Sequence, residues 1–238
     1  MGSCGKESPN CRLCFLFDEG IFSDLSDNDL ELLNRSKTTN QYKKKQIIFY
    51  EGHPIVGLYV IRTGRVKLFK TTPDGKQQIL KIAREGEVLG YSSLFTDTPH
   101  NATAEAVADS DICFLDKARF LAIIHDNVSV ALKLLVQLSR ELNRSEEKTM
   151  DLAYKSVRVR FVEFLLTLNK NFGIYENSVY RLNIALTREE MAQAIGTTVE
   201  TVVRLLSEFR SEGLVDVEKK NISILELDKL LAFTETGY

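Results

Sequence analysis

The four cysteines of this 238-residue sequence are its candidates for metal chemistry. Cys4, Cys11 and Cys14 crowd the N-terminus, with gaps of six and then two residues, and Cys113 stands alone. Thiolates can ligate zinc or an iron–sulfur cluster. The same four residues are compatible with unligated thiols or a disulfide switch. The spacing alone leaves these alternatives open.

The segment from Thr187 to Arg210 is the candidate for nucleic-acid recognition. Thr187 followed by Glu190 fits a capping box at a helix start, and Gly196 fits the turn that ends that helix. The next helix would place Glu200 and Arg204 on one face, because they are four residues apart. In a DNA major groove, Arg can bind guanine O6 and N7, and Glu can accept from the cytosine amine. The alternative is a surface salt bridge between these two side chains in a plain helical hairpin.

The elements that would position these residues begin with a β-rich region up to about Leu115. Thr72-Pro73-Asp74-Gly75 is a strong turn signal between two predicted strands, 66–70 and 77–82. Gly52, Gly64, Gly75, Gly86 and Gly90 mark corners of the chain, and a last strand is predicted from Ala104 to Leu115. Short strands at such intervals are typical of a barrel or roll.

Residues 127–153 change to a helical period. Apolar or small residues recur at heptad spacing beside charged flanks, which is typical of a parallel dimer helix. The alternative is an ordinary helix that packs on a core. The predicted seam consists of Val128, Ala131, Leu135, Leu138, Leu142, Ser145, Thr149 and Leu152.

Residues after 154 predict a second helical unit. A helix is expected over 157–168, then the two helices between Thr187 and Phe209, and a helix over 227–233. Two short strands around Lys219-Lys220-Asn221 predict a hairpin beside them. Two helices, a glycine turn and a hairpin with a basic tip form a winged helix-turn-helix pattern.

Composition excludes several classes of protein. The chain is 44% hydrophobic and 27% charged, which is typical of a folded protein and not of a disordered one. We expect no membrane span, because no run approaches about 18 apolar residues, and the N-terminus has no secretory signal pattern, so a cytoplasmic protein is expected. The sequence has no nucleophile–base pair and no phosphate-binding loop at a meaningful spacing, so we do not expect an enzyme. The net charge of −2 gives no indication of a nucleic-acid partner.

The order of roll, long helix and winged helix-turn-helix resembles the CRP/FNR superfamily of bacterial transcription regulators. The resemblance is carried by Tyr59-Val60-Ile61-Arg62-Thr63-Gly64 and by Thr198-Val199-Glu200-Thr201-Val202-Val203-Arg204-Leu205-Leu206. It implies an α+β fold with a cyclic-nucleotide-binding-like β-roll sensor (21–126) after a Cys-containing segment (1–20). A dimerisation helix (127–153, pairing over 128–152) and a C-terminal winged helix-turn-helix domain (154–238) follow.

The resemblance implies a homodimer that binds palindromic double-stranded DNA and contacts RNA polymerase. Glu200 and Arg204 would read bases in TGA/TCA-type half-sites, and Arg188, Thr198 and Thr201 would contact phosphates. Val199 stands where the cyclic-AMP receptor protein has a base-reading Arg, and Val203 stands where the anaerobic regulator has Ser. These two departures affect the preference for flanking bases.

The resemblance also bears on the effector. Cyclic-AMP receptors hold the cyclic phosphate with an Arg-Ser pair and the ribose with a Glu, and these positions are Asn101-Ala102 and Tyr91 here. No cyclic nucleotide is therefore expected. The anaerobic regulators ligate a [4Fe-4S] cluster with three N-terminal cysteines and one in the roll, which implies oxygen or redox sensing through Cys4, Cys11, Cys14 and Cys113. The alternative is the same architecture sensing another effector, a haem-bound gas or an apolar ligand. His53, His100 and His125 are expected at the surface, since none has a partner at ligand spacing.

Overall fold

A computed structural model describes residues 20–176 and 178–235 of the chain. The described residues divide into two compact units, one of residues 20–70 and 80–143 and one of residues 71–79 and 144–235. The elements in chain order are α1 (Asp27–Ser36), β1 (Lys37–Tyr42), β2 (Ile47–Phe49), β3 (Gly57–Thr63), β4 (Val66–Thr71), β5 (Gln77–Ala83), β6 (Val88–Leu89), α2 (Tyr91–Thr96), β7 (Thr103–Ala106), β8 (Ser110–Asp116), α3 (Lys117–Asp126), α4 (Val128–Tyr154), α5 (Val157–Phe172), β9 (Gly173–Glu176), β10 (Val179–Leu182), α6 (Arg188–Ile195), α7 (Val199–Ser211), β11 (Val215–Glu218), β12 (Asn221–Ile224) and α8 (Leu227–Glu235).

The first unit is built on the β-roll that the sequence predicts. Its strands form two four-stranded sheets, in the orders β1-β8-β3-β6 and β2-β7-β4-β5. Apolar side chains from both sheets form the inner core, among them Phe49, Ile61, Val66 and Ile112. The five predicted corner glycines all have positive φ, between 82° and 91°. Gly64 is the most constrained, because a Cβ there would lie 2.2 Å from the Ser110 hydroxyl oxygen.

The last part of the roll differs from the prediction. The single strand expected from Ala104 to Leu115 is two strands, β7 and β8, with a turn between them. The turn is held from outside, since Val107 N–H donates to the Arg65 carbonyl and the Asp109 carboxylate accepts from Lys44 N–H. These contacts come from distant parts of the chain, so local sequence gives no sign of the break.

Strand β8 contributes to two cores at once. Ile112 points into the inner core of the roll. Leu115 lies in a second cluster, which includes Leu33 of α1, Phe120 of α3 and Val130 and Leu134 of α4. Successive strand residues point to opposite faces, so Cys113 lies on the same outer face as Leu115.

The long helix α4 confirms the predicted helix but changes its apolar seam. It buries Val130 and Leu134 in the outer core, and Leu138 is half-buried against the same cluster. Leu138 therefore does not belong to the free face, where the sequence pattern placed it. An uncovered stripe on the other side, called here the α4 stripe, is 57 to 68% exposed and consists of Val128, Leu132, Leu135 and Leu142.

The second unit contains the helix-turn-helix, with a four-stranded antiparallel sheet in the order β11-β12-β10-β9. Phe161 of α5 and Phe209 of α7 are fully buried, and their ring centres are 5.8 Å apart. The wing strands β11 and β12 lie where the sequence predicts a hairpin. Strands β9 and β10 are not predicted, and all four residues of β9 are exposed at the edge of the sheet.

In the described part of the chain, no single helix is long and apolar enough to cross a membrane. Helices α3 and α4 meet that test only when taken together, and their axes turn by 109° at the break between them.

Candidate nucleic-acid interface and sensor site

Local sequence signals fix both ends of α6 and the start of α7, the two helices of the helix-turn-helix. The predicted capping box is present, because Thr187 Oγ1 accepts from Glu190 N–H and the Glu190 carboxylate accepts from Thr187 N–H. Gly196 ends α6 in the left-handed conformation, with φ 69° and ψ 54°. The Thr198 hydroxyl then caps α7 by accepting from Thr201 N–H. These three features set where the exposed helix α7 begins.

Helix α7 separates a buried face from a free one. Val202, Leu205, Leu206 and Phe209 are buried in the unit. The other face of α7, called here the recognition face, is open to solvent and consists of Val199, Glu200, Val203, Arg204, Ser207, Glu208 and Ser211. The predicted base readers and both departures from the family pattern therefore lie on one exposed surface.

The two predicted base readers do not pair with each other. Arg204 Nη1 donates to Glu208 Oε1 at 2.6 Å, one turn further along the helix. Glu200 is fully exposed, and hydrogen bonds from its own backbone N–H and the Thr198 hydroxyl hold its pKa below its usual value. Its carboxylate is therefore ionised and able to accept at neutral pH.

Arg188 connects the helix-turn-helix to the wing. Its Nη2 donates to the Lys219 carbonyl at 3.0 Å, at the tip of the β11–β12 hairpin. Lys219 has a positive φ of 55° at this turn, and both Lys219 and Lys220 are exposed. The contact holds the basic tip beside the start of α6.

Cys113 is the predicted thiolate ligand within the described residues. Its side chain is half-buried on β8, with Sγ 3.5 Å from the Thr39 hydroxyl of β1. Cys4, Cys11 and Cys14 lie outside the described residues. Among residues 20–176 and 178–235, no three His, Cys, Asp or Glu side chains gather as a metal site.

The positions that correspond to a cyclic-nucleotide site meet at one small cavity. Tyr91, Asn101 and Ala102 all line it, and its volume is about 50 Å³. Small-ligand pockets are typically about 300 Å³ or more. The Tyr91 hydroxyl is buried and accepts from Gln137 Nε2 of α4 at 3.1 Å. Burial and the neighbouring Glu141 raise the pKa of Tyr91, so the phenol is neutral.

The cation at this cavity is paired with carboxylates of the same unit. Lys81 Nζ lies 3.1 Å from a Glu87 oxygen and 2.9 Å from a Glu141 oxygen. A bound phosphate would have to compete with both of them.

His100 lies beside the cavity and corrects a prediction. It is buried, not on the surface, and its ring stacks on Phe49 with centres 4.0 Å apart and planes 14° apart. Burial, and to a lesser degree His53, lower the pKa of His100. The pairing joins residues 51 positions apart, so no local pattern indicates it.

Each of the two units contains a match to a known protein family. Residues 39–127 match the cyclic nucleotide-binding domain, and residues 159–233 match the Crp-like helix-turn-helix domain.

Relatives match over most of the chain. The "CRP-like cAMP-activated global transcriptional regulator" of Mycobacterium tuberculosis is 29% identical, over 89% of this chain and 94% of the relative. The "Transcriptional activator protein anr" of Pseudomonas aeruginosa is 26% identical, over 94% of this chain and 91% of the relative. The solved structure of FixK2 from Bradyrhizobium japonicum superposes with a TM-score of 0.73 at 26% identity, over 82% of this chain and 96% of that one.

A cyclic-nucleotide-binding-type roll followed by a winged helix-turn-helix defines a class of DNA-binding transcription regulators. The chain belongs to the CRP/FNR family of transcription regulators. The relatives are regulators and not enzymes, which confirms the non-enzymatic assignment.

The buried His100 predicts acid sensitivity. Its pKa in the folded protein lies below the unfolded value near 6.5, so the unfolded chain binds the proton more readily. The stability it contributes is complete above that value and is lost as the pH falls from about 6.5 toward the folded pKa. Urea unfolding between pH 7 and 5 should show this loss, and His100→Phe, which keeps the stack on Phe49, should reduce it.

His125→Gln is the matched control, because the His125 side chain is 88% exposed. It should leave the pH dependence unchanged. An equal pH dependence in His100→Phe would contradict the prediction.

Proposed function

We propose that this regulator acts as a homodimer on palindromic DNA with TGA/TCA-type half-sites and is switched by oxygen or redox state through a [4Fe-4S] cluster. The cluster ligands would be Cys4, Cys11, Cys14 and Cys113. The observation that carries the DNA-binding part is the recognition face of α7, which presents Glu200 and Arg204 to solvent in a unit whose wing has an exposed basic tip at Lys219 and Lys220.

The α4 stripe supports dimerisation. Its members Val128, Leu132, Leu135 and Leu142 follow heptad spacing, and all are more than half exposed although Val130 and Leu134 of the same helix are buried. A second copy of the same helix in parallel would cover the stripe and bury this apolar surface. The dimer would then present two recognition helices to successive major grooves, about 34 Å apart.

Each exposed side chain has a part in DNA recognition under this proposal. Arg204 would bind guanine O6 and N7, and the ionised Glu200 would accept from a cytosine amine. Arg188, Thr198 and Thr201 would contact phosphates and set the position of α7 on the duplex. Val199 and Val203 would give only apolar contacts, such as with a thymine methyl group.

The proposed functions of the chain segments are those that membership of the family implies. Residues 1–20 would carry three cluster ligands, residues 21–126 would form the sensor, residues 127–153 the dimerisation helix and residues 154–238 the DNA-binding domain. The protein would work in the cytoplasm, where its DNA target lies. Contact with RNA polymerase is proposed because one relative is named a transcriptional activator.

Cys113 fits a cluster ligand by its donor chemistry and its place. Its thiol is half-exposed on the outer face of β8 and lies beside Thr39 and not inside the inner core. When bound, a [4Fe-4S] cluster supplies reactivity toward oxygen. The role of the chain is to bring three thiols from the N-terminal segment to this outer face, which also carries the core that holds α4.

The cavity at Tyr91 weighs against a cyclic-nucleotide effector, although one relative is named as cAMP-activated. Its volume is about 50 Å³, and it is lined by Tyr91 and by Asn101 and Ala102, which stand at the positions that hold the cyclic phosphate in the cyclic-AMP receptors. A haem-bound gas or an apolar ligand is the alternative effector, with the cysteines unligated. A visible spectrum distinguishes a protein that holds a cluster, one that holds a haem and one that holds neither.

Arg204→Ala should weaken binding to a TTGAT-N4-ATCAA duplex by about 1–3 kcal/mol per half-site and relax the preference at one guanine. Fluorescence anisotropy at fixed salt, with single-base variants of the duplex, measures both effects. Arg210→Ala is the control, because Arg210 lies on the same helix but pairs with Asp216 of the wing. Unchanged base preference in Arg204→Ala would refute the assignment.

Leu135→Glu should convert the dimer to a monomer, because a charge would be buried in the apolar seam. Sedimentation velocity reports the change, and affinity for the palindrome should fall with it. Leu32→Glu on α1 is the control, since Leu32 is similarly exposed but lies outside the α4 stripe. A dimer that persists in Leu135→Glu would rule out this interface.

Protein purified without oxygen should contain about four iron and four sulfide per chain, and Cys113→Ser should lose most of both. Thr39→Val removes the hydroxyl neighbour of Cys113 but keeps all four thiols, so it should retain the iron. A colourless parent protein whose DNA binding is indifferent to oxygen would overturn the cluster.

A further inference from the structure

We propose that Glu208 is a specificity-determining residue, which positions Arg204 and neutralises its charge so that this arginine favours a base edge over any phosphate. The inference rests on the proposed role of Arg204 as a base reader. No base contact is proposed for Glu208 itself.

Glu208 accepts hydrogen bonds from two arginines on its two oxygens. Arg204 Nη1 donates to Oε1 at 2.6 Å, and Arg158 Nη1 donates to Oε2 at 3.1 Å. The side chain of Glu208 is 33% exposed, whereas that of Arg204 is 65% exposed. Arg158 therefore holds the carboxylate of Glu208 in place, and this carboxylate in turn holds the more exposed guanidinium of Arg204.

Arg158 is itself fixed from the core. Its Nη2 donates to both oxygens of Glu212, at 2.8 and 2.9 Å. Its guanidinium carbon lies 4.7 Å from the ring centre of Phe209, which is fully buried, and 5.2 Å from that of Phe233. The buried Phe209 thus fixes the position of Arg158, and Arg158 fixes the position of Glu208. Glu208 in turn fixes the position of Arg204.

The same contacts set the local charge. The Glu208 carboxylate lies against Arg204, whereas Glu212 pairs with Arg158, so it is Glu208 that weakens the attraction of Arg204 to phosphate. Non-specific DNA binding depends almost entirely on that attraction. A guanidinium has five N–H donors, so the single bond from Nη1 leaves donors of Arg204 for a guanine.

Glu208 should therefore suppress binding to random sequence more than binding to the target. This also fits the composition of residues 151–238, where acidic residues slightly outnumber basic ones. Specificity in such a protein comes from base contacts and dimer formation and not from a strongly basic surface.

The test measures dissociation constants of Glu208→Gln for the TTGAT-N4-ATCAA duplex and a random duplex over a range of salt concentrations. Affinity for random duplex should rise about threefold or more, and the salt slope should steepen by about one per subunit as each freed Arg204 reaches a phosphate. The ratio of specific to non-specific affinity should fall.

Glu212→Gln is the matched control. It removes the same charge from a neighbour of Arg158, but Glu212 does not touch Arg204. Its affinity ratio should stay near that of the parent. In an Arg204→Ala background, Glu208→Gln should have no further effect on the ratio, which a general change of surface charge would not reproduce.

Two results would overturn the inference: a ratio and salt slope unchanged by Glu208→Gln, or an equal fall of the ratio in Glu212→Gln. A different result identifies failure of the proposed function itself, namely an Arg204→Ala protein whose base preference equals that of the parent.

Discussion

In helices α4 and α7, burial of one stripe of side chains determines which side chains the opposite stripe exposes to solvent. Helix α4 buries Val130 and Leu134, and the 3.6-residue period then turns Leu132 and Leu135 outward. Helix α7 buries Val202, Leu205 and Phe209, which turns Glu200 and Arg204 outward in the same way. Both proposed interfaces, with a second copy and with DNA, thus depend on apolar packing inside a unit.

The first unit applies the same constraint to a strand. Because β8 is apolar on both faces, Ile112 closes the roll and Leu115 supports α1, α3 and α4. Cys113 lies between these two residues. A cluster bound at Cys113, as proposed, would act on a strand whose Leu115 already packs against Val130 and Leu134 of α4. Tyr91 lines the small cavity, and its hydroxyl accepts a hydrogen bond from Gln137 of α4.

Sequence predicted the parts that local chemistry determines. The capping box, the left-handed Gly196 and the Thr198 cap predicted both ends of α6 and the start of α7, and the corner glycines predicted the turns of the roll. The features it missed depend on contacts between distant residues. The stack of Phe49 on His100, the break before β8 and the pair of Arg158 with Glu208 are of this kind. The heptad count also placed Leu138 in the free seam, because periodicity cannot say which of two adjacent stripes the core covers.

The exposed strand β9 has a cost that concerns handling of the protein and not its regulation. It leaves a row of backbone N–H and C=O groups at the sheet edge, with Ile174 and Tyr175 exposed beside them. Such an edge is a template for pairing with another chain and so for aggregation. Its length of four residues and the charge of Glu176 limit the length of any intermolecular ladder. The short length of β9 thus limits aggregation of the protein at high concentration.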